Sequence, residues 1–180
     1  MSAAIKFAPH YTIEDYRLWE GKWELWSGIA IAMTPSPFGR HQALLASLLT
    51  AFRVGIEQQN CRATALAELD WIVSDDTVVR PDMIVVCGGA PDRYLESPPA
   101  LIAEVLSSST RQNDLTYKRE LYASQGVQTY LIADPENKSI QQLTLSASGG
   151  YESIDAPARL RLVLCGDCKI DIDSAKLFLD

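Results

Sequence analysis

Apolar residues that recur three and four positions apart predict two long helices. Over Arg40–Gln59 this spacing places residues such as Leu44 and Phe52 on one face of an amphipathic helix. A second helix is predicted over Asn113–Ser124, and it should end at Gly126 because glycine is common just past a helix C-terminus.

Two shorter helices and a hairpin are predicted from local signals. Thr12 followed by Asp15 fits a capping box, so a helix should begin there, run to about Glu20 and stop at Gly21. The remaining short elements are a hairpin over 22–35 that turns at Ser27-Gly28, a loop over 35–39 and a helix near the C-terminus in 171–180.

Short, nearly continuous apolar runs predict strands buried on both faces. The predicted strand segments are 61–73, 78–87, 100–110, 127–135, 140–148, 149–154 and 159–164. Helices and strands in this order predict an α/β (α+β) fold, a mixed β-sheet flanked by helices with extra β-hairpins. We expect one domain that spans residues 1–180.

Composition and charge narrow the class of protein. A hydrophobic content of 47% and a charged content of 22% are typical of a globular chain and exclude wholesale disorder. The sequence has no secretory apolar segment and no apolar run long enough to span a bilayer, so we expect a cytoplasmic protein with no membrane partner. A net charge of −7 argues against non-specific nucleic-acid binding, although it permits a metal site that recruits phosphate.

The four cysteines are Cys61, Cys87, Cys165 and Cys168. They are too few for a small disulfide-rich scaffold, so reduced thiols are the simpler expectation. The last two form a lone C-x-x-C after a strand-like run, with no second motif to complete a zinc site. We interpret this pair as a hairpin turn.

Two of the apolar strands each contain one acid, Asp82 and Glu104. A carboxylate in such a strand must be paired, protonated or bound to a metal, and two of them on neighbouring strands would repel each other. A Mg²⁺ ion between them would relieve this repulsion and would complete its coordination with a substrate phosphate. The alternative is that one or both acids lie at a strand end in water or pair with Arg80.

Lys118 lies on the apolar face of the second long helix, with Leu115, Leu121 and Tyr122. Its ammonium can extend to solvent, pair with Asp114, or point at the two carboxylates. In the last case it would stabilise the charge that develops during phosphodiester hydrolysis.

The string RPD, EVLSSSTRQND, K, Y and GVQTYLIADP resembles the Uma-two family of restriction-endonuclease-like proteins, which have a PD-(D/E)XK nuclease fold. The resemblance covers nearly the whole chain, from about Tyr16 to the C-terminal DIDSAKLF. It implies that Asp82 and Glu104 bind the metal. The superfamily lysine, two positions after the second acid, is replaced here by Leu106, and the resemblance makes Lys118 its substitute.

Other candidates remain open at the level of sequence. Glu24 matches a recurrent acid of the family, and it would contact metal or water or pair with a cation. His41 opens the long helix, where packing or capping is a more common role than that of a base. The hydroxyls of Ser107–Thr110 suit N-capping better than phosphate binding.

The sequence therefore predicts a Mg²⁺- or Mn²⁺-dependent endonuclease that acts on DNA, with Asp82, Glu104 and Lys118 as catalytic residues and Glu24 as an accessory. Homodimerisation is expected because duplex DNA has two-fold symmetry. The alternatives are a catalytically inactive binding module on the same fold and a hydrolase of another phosphoester. Serine or cysteine hydrolysis is disfavoured, since no G-x-S-x-G motif is present.

Overall fold

The computed structural model describes residues 9–33 and 38–178. The helices are α1 Ile13–Tyr16, α2 Gly39–Gln58, α3 Arg111–Leu115 and α4 Tyr117–Ser124, followed by a 3₁₀ helix at Ser174–Leu177. The strands are β1 Trp23–Trp26, β2 Ile29–Ala32, β3 Ala63–Ala67, β4 Trp71–Ser74, β5 Thr77–Val79, β6 Met83–Cys87, β7 Leu101–Val105, β8 Thr129–Asp134, β9 Ser139–Leu145, β10 Tyr151–Asp155, β11 Arg159–Leu164 and β12 Cys168–Asp173. Across these two described ranges, no helix has the length and apolarity needed to traverse a bilayer.

A six-stranded sheet forms the centre of the fold, in the order β10-β9-β8-β7-β6-β3. Its strands pair antiparallel except for β7 and β8, which run parallel and are joined through α3 and α4. Four further strands form a second sheet in the order β2-β1-β5-β4, and β11 pairs with β12 as a separate hairpin. The predicted mixed α+β architecture with extra hairpins is confirmed.

The two faces of the central sheet bury different apolar clusters, because side chains alternate along each strand. On one face, Met83 and Val85 of β6 pack with Leu48 and Phe52 of α2 and with the β11–β12 hairpin. On the other face, Ile84 and neighbours pack with Tyr122 of α4. The sheet is therefore covered on both sides, as its continuous apolar strands predicted.

Two segments that were predicted as single strands are each divided between the two sheets. Residues 61–73 form β3 in the central sheet and β4 in the four-stranded sheet, and Glu68 between them has a positive φ of 48°. Residues 78–87 likewise contain β5 and β6, separated at Arg80–Asp82. Asp82 immediately precedes β6, at the point where the chain passes between the two sheets.

The predicted helices differ from the observed ones mainly at their ends. The capping box at Thr12 forms, with Thr12 N donating to Asp15 Oδ2 at 2.8 Å, but α1 ends at Tyr16 rather than near Glu20. The predicted helix over 113–124 is interrupted at Thr116, whose ψ of −88° lies outside the helical region.

The predicted C-terminal helix is largely wrong, because residues 171–173 continue β12 before the short 3₁₀ helix. Its last two residues, 179–180, lie outside the described residues. The same holds for residues 34–37, which include the end of the predicted hairpin and most of the predicted loop.

The expectation of four reduced thiols is wrong. Cys61 forms a disulfide with Cys168, and Cys87 forms one with Cys165, each with a Cα–Cα distance of 5.4 Å. The C-x-x-C segment is the turn between β11 and β12, as predicted, but its cysteines bond to the central sheet region rather than staying free. Sequence spacing could not reveal these pairs, since their partners lie 107 and 78 residues away.

Candidate active site

The two acids of interest meet where β6 and β7 stop pairing. The antiparallel register pairs Met83 with Ala103, so Asp82 and Glu104 are the next opposed positions. There the carboxylates replace the backbone ladder: Asp82 N donates to Glu104 Oε2 at 3.1 Å, and Val105 N donates to Asp82 Oδ2 at 2.8 Å. The end of the ladder thus holds both carboxylates close together.

Glu104 is buried, with 2% of its surface exposed. Its Oε1 accepts hydrogen bonds from Lys118 Nζ at 3.0 Å and from the Tyr122 hydroxyl at 2.7 Å. Burial raises the pKa of the Glu104 carboxyl well above its ordinary value, and although Lys118 opposes this, the charges of Asp114 and Asp82 add to it. The carboxylate form of Glu104 therefore needs positive charge beside it.

Lys118 is buried on α4, and its ammonium contacts three carboxylates. The distances from Nζ are 3.0 Å to Glu104 Oε1, 3.1 Å to Glu24 Oε1 and 3.6 Å to Asp114 Oδ1. Burial alone would lower the pKa of Lys118, but these carboxylates raise it well above its usual range. The sequence alternatives of solvent exposure and pairing with Asp114 alone are both wrong, because the lysine points into the acid pair.

Leu106 stands at the position of the superfamily lysine. It is buried in the apolar cluster that contains Ile84 and Tyr122. A lysine there would lie among apolar side chains such as Tyr130 and Ile132, where an unpaired ammonium is costly. Lys118 brings the ammonium to Glu104 from the helix instead of from the strand.

Glu24 has both carboxylate oxygens engaged by protein donors. Oε1 accepts from the backbone N–H of Arg80 at 2.7 Å and contacts Lys118, while Oε2 accepts from Trp26 Nε1 at 3.0 Å. The sequence left two roles open for Glu24, a contact with metal or water and a pair with a cation. This geometry favours the pair with a cation.

Asp82 is the most accessible acid of the group, with 21% of its side chain exposed. Its Oδ2 also lies 3.2 Å from His41 Nε2, and across the described ranges the recorded hydrogen bonds reach its carboxylate through Oδ2. The alternative of a pair with Arg80 is wrong, because Arg80 Nε donates to Asp70. Among the described residues, no hydrogen bond to Oδ1 of Asp82 is recorded.

Asp114 completes the charged group and is 1% exposed. Burial raises the pKa of its carboxyl to about 6, against the lowering effect of Lys118. Four acids, namely Asp82, Glu104, Glu24 and Asp114, therefore surround one lysine. This excess of negative charge favours an additional cation at the site.

These charged side chains line a cleft of about 750 Å³. Its other side is formed by residues 107–110, where the Ser107 hydroxyl is 2.9 Å from that of Thr110 and accepts from Thr110 N at 3.2 Å. These bonds lie before α3, whose N-cap residue Thr110 makes no side-chain capping hydrogen bond, so the N-capping role predicted for the hydroxyls is wrong. The cleft is open enough to admit a ligand larger than a metal ion.

The donor set fits Mg²⁺ better than a metal that needs a full protein cage. Within residues 9–33 and 38–178, no group of three or more His, Cys, Asp or Glu side chains is arranged as a metal site. Mg²⁺ requires only one or two carboxylates, because it keeps several waters and takes the rest of its ligands from substrate phosphate. Asp82 Oδ1 and Glu104 Oε2 are suitable donors for such an ion.

Three contributing residues were missed or undervalued from the sequence: Asp114, Tyr122 and His41. The first two are spaced four residues on either side of Lys118, which places all three on one face of the predicted helix. That spacing was a usable signal. His41 was interpreted as a packing residue, and only the tertiary structure places it beside Asp82.

The mixed sheet, with two acids at a split between strands and a buried lysine beside them, defines a restriction-endonuclease-like nuclease fold. The chain belongs to the Uma2 family, described as "putative restriction endonuclease", whose model matches residues 13–168. A crystal structure of "a putative nuclease belonging to DUF820" from Anabaena variabilis has the same fold, with a TM-score of 0.76 and 20% identity over 93% of this chain and 97% of that one. A comparison with curated proteins found no match. The predicted family is confirmed, and the chain is classed with the nucleases.

Proposed function

We propose that this protein is a Mg²⁺- or Mn²⁺-dependent endonuclease that hydrolyses phosphodiester bonds of DNA. The observation that carries the proposal is the meeting of Asp82, Glu104 and Lys118 at one cleft, with Lys118 Nζ 3.0 Å from Glu104 Oε1. Family membership supports the reaction class.

Asp82 and Glu104 would hold the divalent ion. When bound, such an ion polarises a phosphoryl oxygen and neutralises the charge that builds up on it. Lys118 is charged and fixed in place, so it would stabilise the same developing charge without reorganising during the reaction.

Glu24 would act through Lys118. Because both of its oxygens are engaged by Arg80, Trp26 and Lys118, it holds the ammonium near Glu104 rather than binding the metal itself. This assigns Glu24 the accessory role among the predicted catalytic residues.

Further features of the proposal concern partners and location. DNA is the proposed substrate, and a homodimer would match its two-fold symmetry and cut both strands. A single domain would carry every residue of each active site. We retain the cytoplasm as the proposed location, which requires the two disulfides to form in a compartment that normally keeps thiols reduced. Blocking free thiols at lysis, followed by thiol counting, tests this directly.

The alternative is a catalytically inactive module that uses the same cleft for binding. Its support is the Lys118 contact set: an ammonium bound by three carboxylates is stabilised without any substrate. In this case the acids would bind a divalent ion without turnover.

A cleavage assay separates these functions. Supercoiled plasmid DNA would be incubated with the wild-type protein in Mg²⁺ or Mn²⁺ and in EDTA, beside Asp82→Asn, Glu104→Gln and the exposed-acid control Glu152→Gln. We expect metal-dependent nicking that falls about 100-fold or more in the first two variants, since each loses a ligand of the transition-state-stabilising ion. The control should match the wild type.

Thermal unfolding would verify that each variant is folded. Equal cleavage by wild type and both site variants would refute the enzymatic proposal. Calorimetric binding of Mg²⁺ or Mn²⁺ without cleavage of any nucleic acid would establish the binding module instead.

A further inference from the structure

Tyr122 makes a direct contact with one of the two proposed metal-binding acids. It lies on α4, one helical turn after Lys118, and is 0% exposed. Its hydroxyl donates to Glu104 Oε1 at 2.7 Å, which is a short, charge-assisted hydrogen bond. The ring is fixed by Tyr130, which packs edge-to-face at 5.1 Å, and by Trp71 at 6.0 Å.

This contact determines which oxygen of Glu104 remains free. A carboxylate oxygen offers about two lone-pair sites. On Oε1 these sites are occupied by Lys118 and Tyr122. Oε2 accepts from Asp82 N, and this is the only hydrogen bond recorded for it within the described residues, so one of its sites is open.

We propose that Tyr122 is a positioning residue, which holds the Glu104 carboxylate so that Oε2 is presented to the divalent ion beside Asp82. This inference rests on the proposed metal-dependent function. Lys118 cannot serve this purpose alone, because its ammonium is shared with Glu24 and Asp114. A tyrosine has only two side-chain torsions, and here its ring is packed on both sides.

Tyr130 provides a matched control. It is also 0% exposed and lies in the same apolar cluster, but its hydroxyl donates to the backbone carbonyl of Asp114 at 2.9 Å and not to a carboxylate. Tyr122→Phe and Tyr130→Phe each remove one buried hydroxyl and keep the ring. They differ in whether a proposed metal ligand loses its donor.

The experiment measures Mn²⁺ binding to the full chain by calorimetry, for wild type and both phenylalanine variants. Removing a hydrogen bond that orients a metal ligand typically weakens metal affinity by about 10- to 100-fold. We expect a rise of this size in the dissociation constant for Tyr122→Phe and no change for Tyr130→Phe, while both variants show a similar loss in melting temperature. In the cleavage assay, the loss in Tyr122→Phe should be partly restored by raising the Mn²⁺ concentration.

A measurement on the wild-type protein keeps the inference testable if Tyr122→Phe fails to fold. The ring Cζ resonance of Tyr122, which reports the hydrogen bond of its hydroxyl, should shift on addition of Mg²⁺ while that of Tyr130 stays in place. Wild-type affinity in Tyr122→Phe, equal weakening in both variants, or an unchanged Tyr122 resonance in a metal-binding protein would overturn the inference alone. Absence of divalent-ion binding to the wild type would overturn both the inference and the proposed function.

Discussion

Replacing Lys118 by methionine tests the charge balance of the site most directly. Methionine is unbranched, of similar length and adaptable in packing, so Lys118→Met removes the ammonium and leaves the helix and the apolar stem largely intact. In the variant, the carboxylates of Glu104, Glu24 and Asp114 lie close together with no ammonium between them.

The expected destabilisation follows from the distances. At an effective dielectric constant of about 20, a charge pair 3.0 to 3.6 Å apart attracts by roughly 5 kcal/mol. Desolvation of the buried ions, several kcal/mol for each, offsets most of the summed attraction. Removing one partner of a buried pair costs about 3–5 kcal/mol, and we expect a loss in this range at pH 8.

The loss should also depend on pH. Without the ammonium, the pKa values of Glu104 and Asp114 rise further above their ordinary range, so the folded variant binds more protons than its unfolded chain around neutrality. Its stability therefore falls as the pH rises. The raised pKa of Lys118 places the titration of the wild-type ammonium far above pH 8, so the ammonium keeps its charge between pH 5 and pH 8. The difference between the two proteins should be smaller at pH 5 than at pH 8.

Urea unfolding in EDTA at both pH values measures this difference. Lys22→Met is the matched control: Lys22 pairs with Glu68 at 2.8 Å, but 57% of its side chain is exposed, so its loss should cost about 1 kcal/mol or less. If Lys118→Met is no less stable than the control at pH 8, or if its deficit does not change with pH, the lysine does not balance the buried acids as argued.

Two further predictions concern the cross-links and the remaining buried acid. Reduction should lower the unfolding free energy by about 2–4 kcal/mol for each bridge, because Cys61–Cys168 and Cys87–Cys165 close long loops; a melting temperature unaffected by dithiothreitol would show that the bridges are absent from the protein in solution. The pKa of Asp114 is raised to about 6, so its folded form retains a proton that the unfolded chain loses. Stability in EDTA should therefore fall by about 2 kcal/mol between pH 4 and pH 7 relative to Asp114→Asn. Parallel pH profiles of wild type and Asp114→Asn in urea unfolding would contradict that assignment.

The three charged residues that meet at the cleft could be predicted because each departs from the apolar pattern around it. Asp82 and Glu104 stand out in apolar runs, and Lys118 stands out on an apolar helical stripe. A charge in such a position must find a partner, so the three together predict a common site even though 14 residues separate Glu104 from Lys118. The helix and strand order followed from periodicity in the same way.

The remainder depends on contacts that periodicity does not encode. The break at Arg80–Asp82 is invisible in an apolar run, because residues before and after it are equally buried in two different sheets. The disulfide partners are distant in sequence, and their pairing depends on where the β11–β12 hairpin packs. The contact between His41 and Asp82 likewise joins two elements 41 residues apart.

The break between the sheets also explains why the site lies where it does. A continuous ladder would occupy the backbone groups of Asp82 and Val105 in strand pairing. Because the chain leaves the central sheet at Asp82, the N–H groups of Asp82 and Val105 are free to bind the two carboxylates instead. The same departure carries Arg80 into the position from which its N–H holds Glu24, the anchor of Lys118. One interruption of a strand thus orients both acids and, through Glu24, the lysine. We therefore expect a substitution that restored regular strand pairing to displace Asp82, Glu104 and Lys118 together.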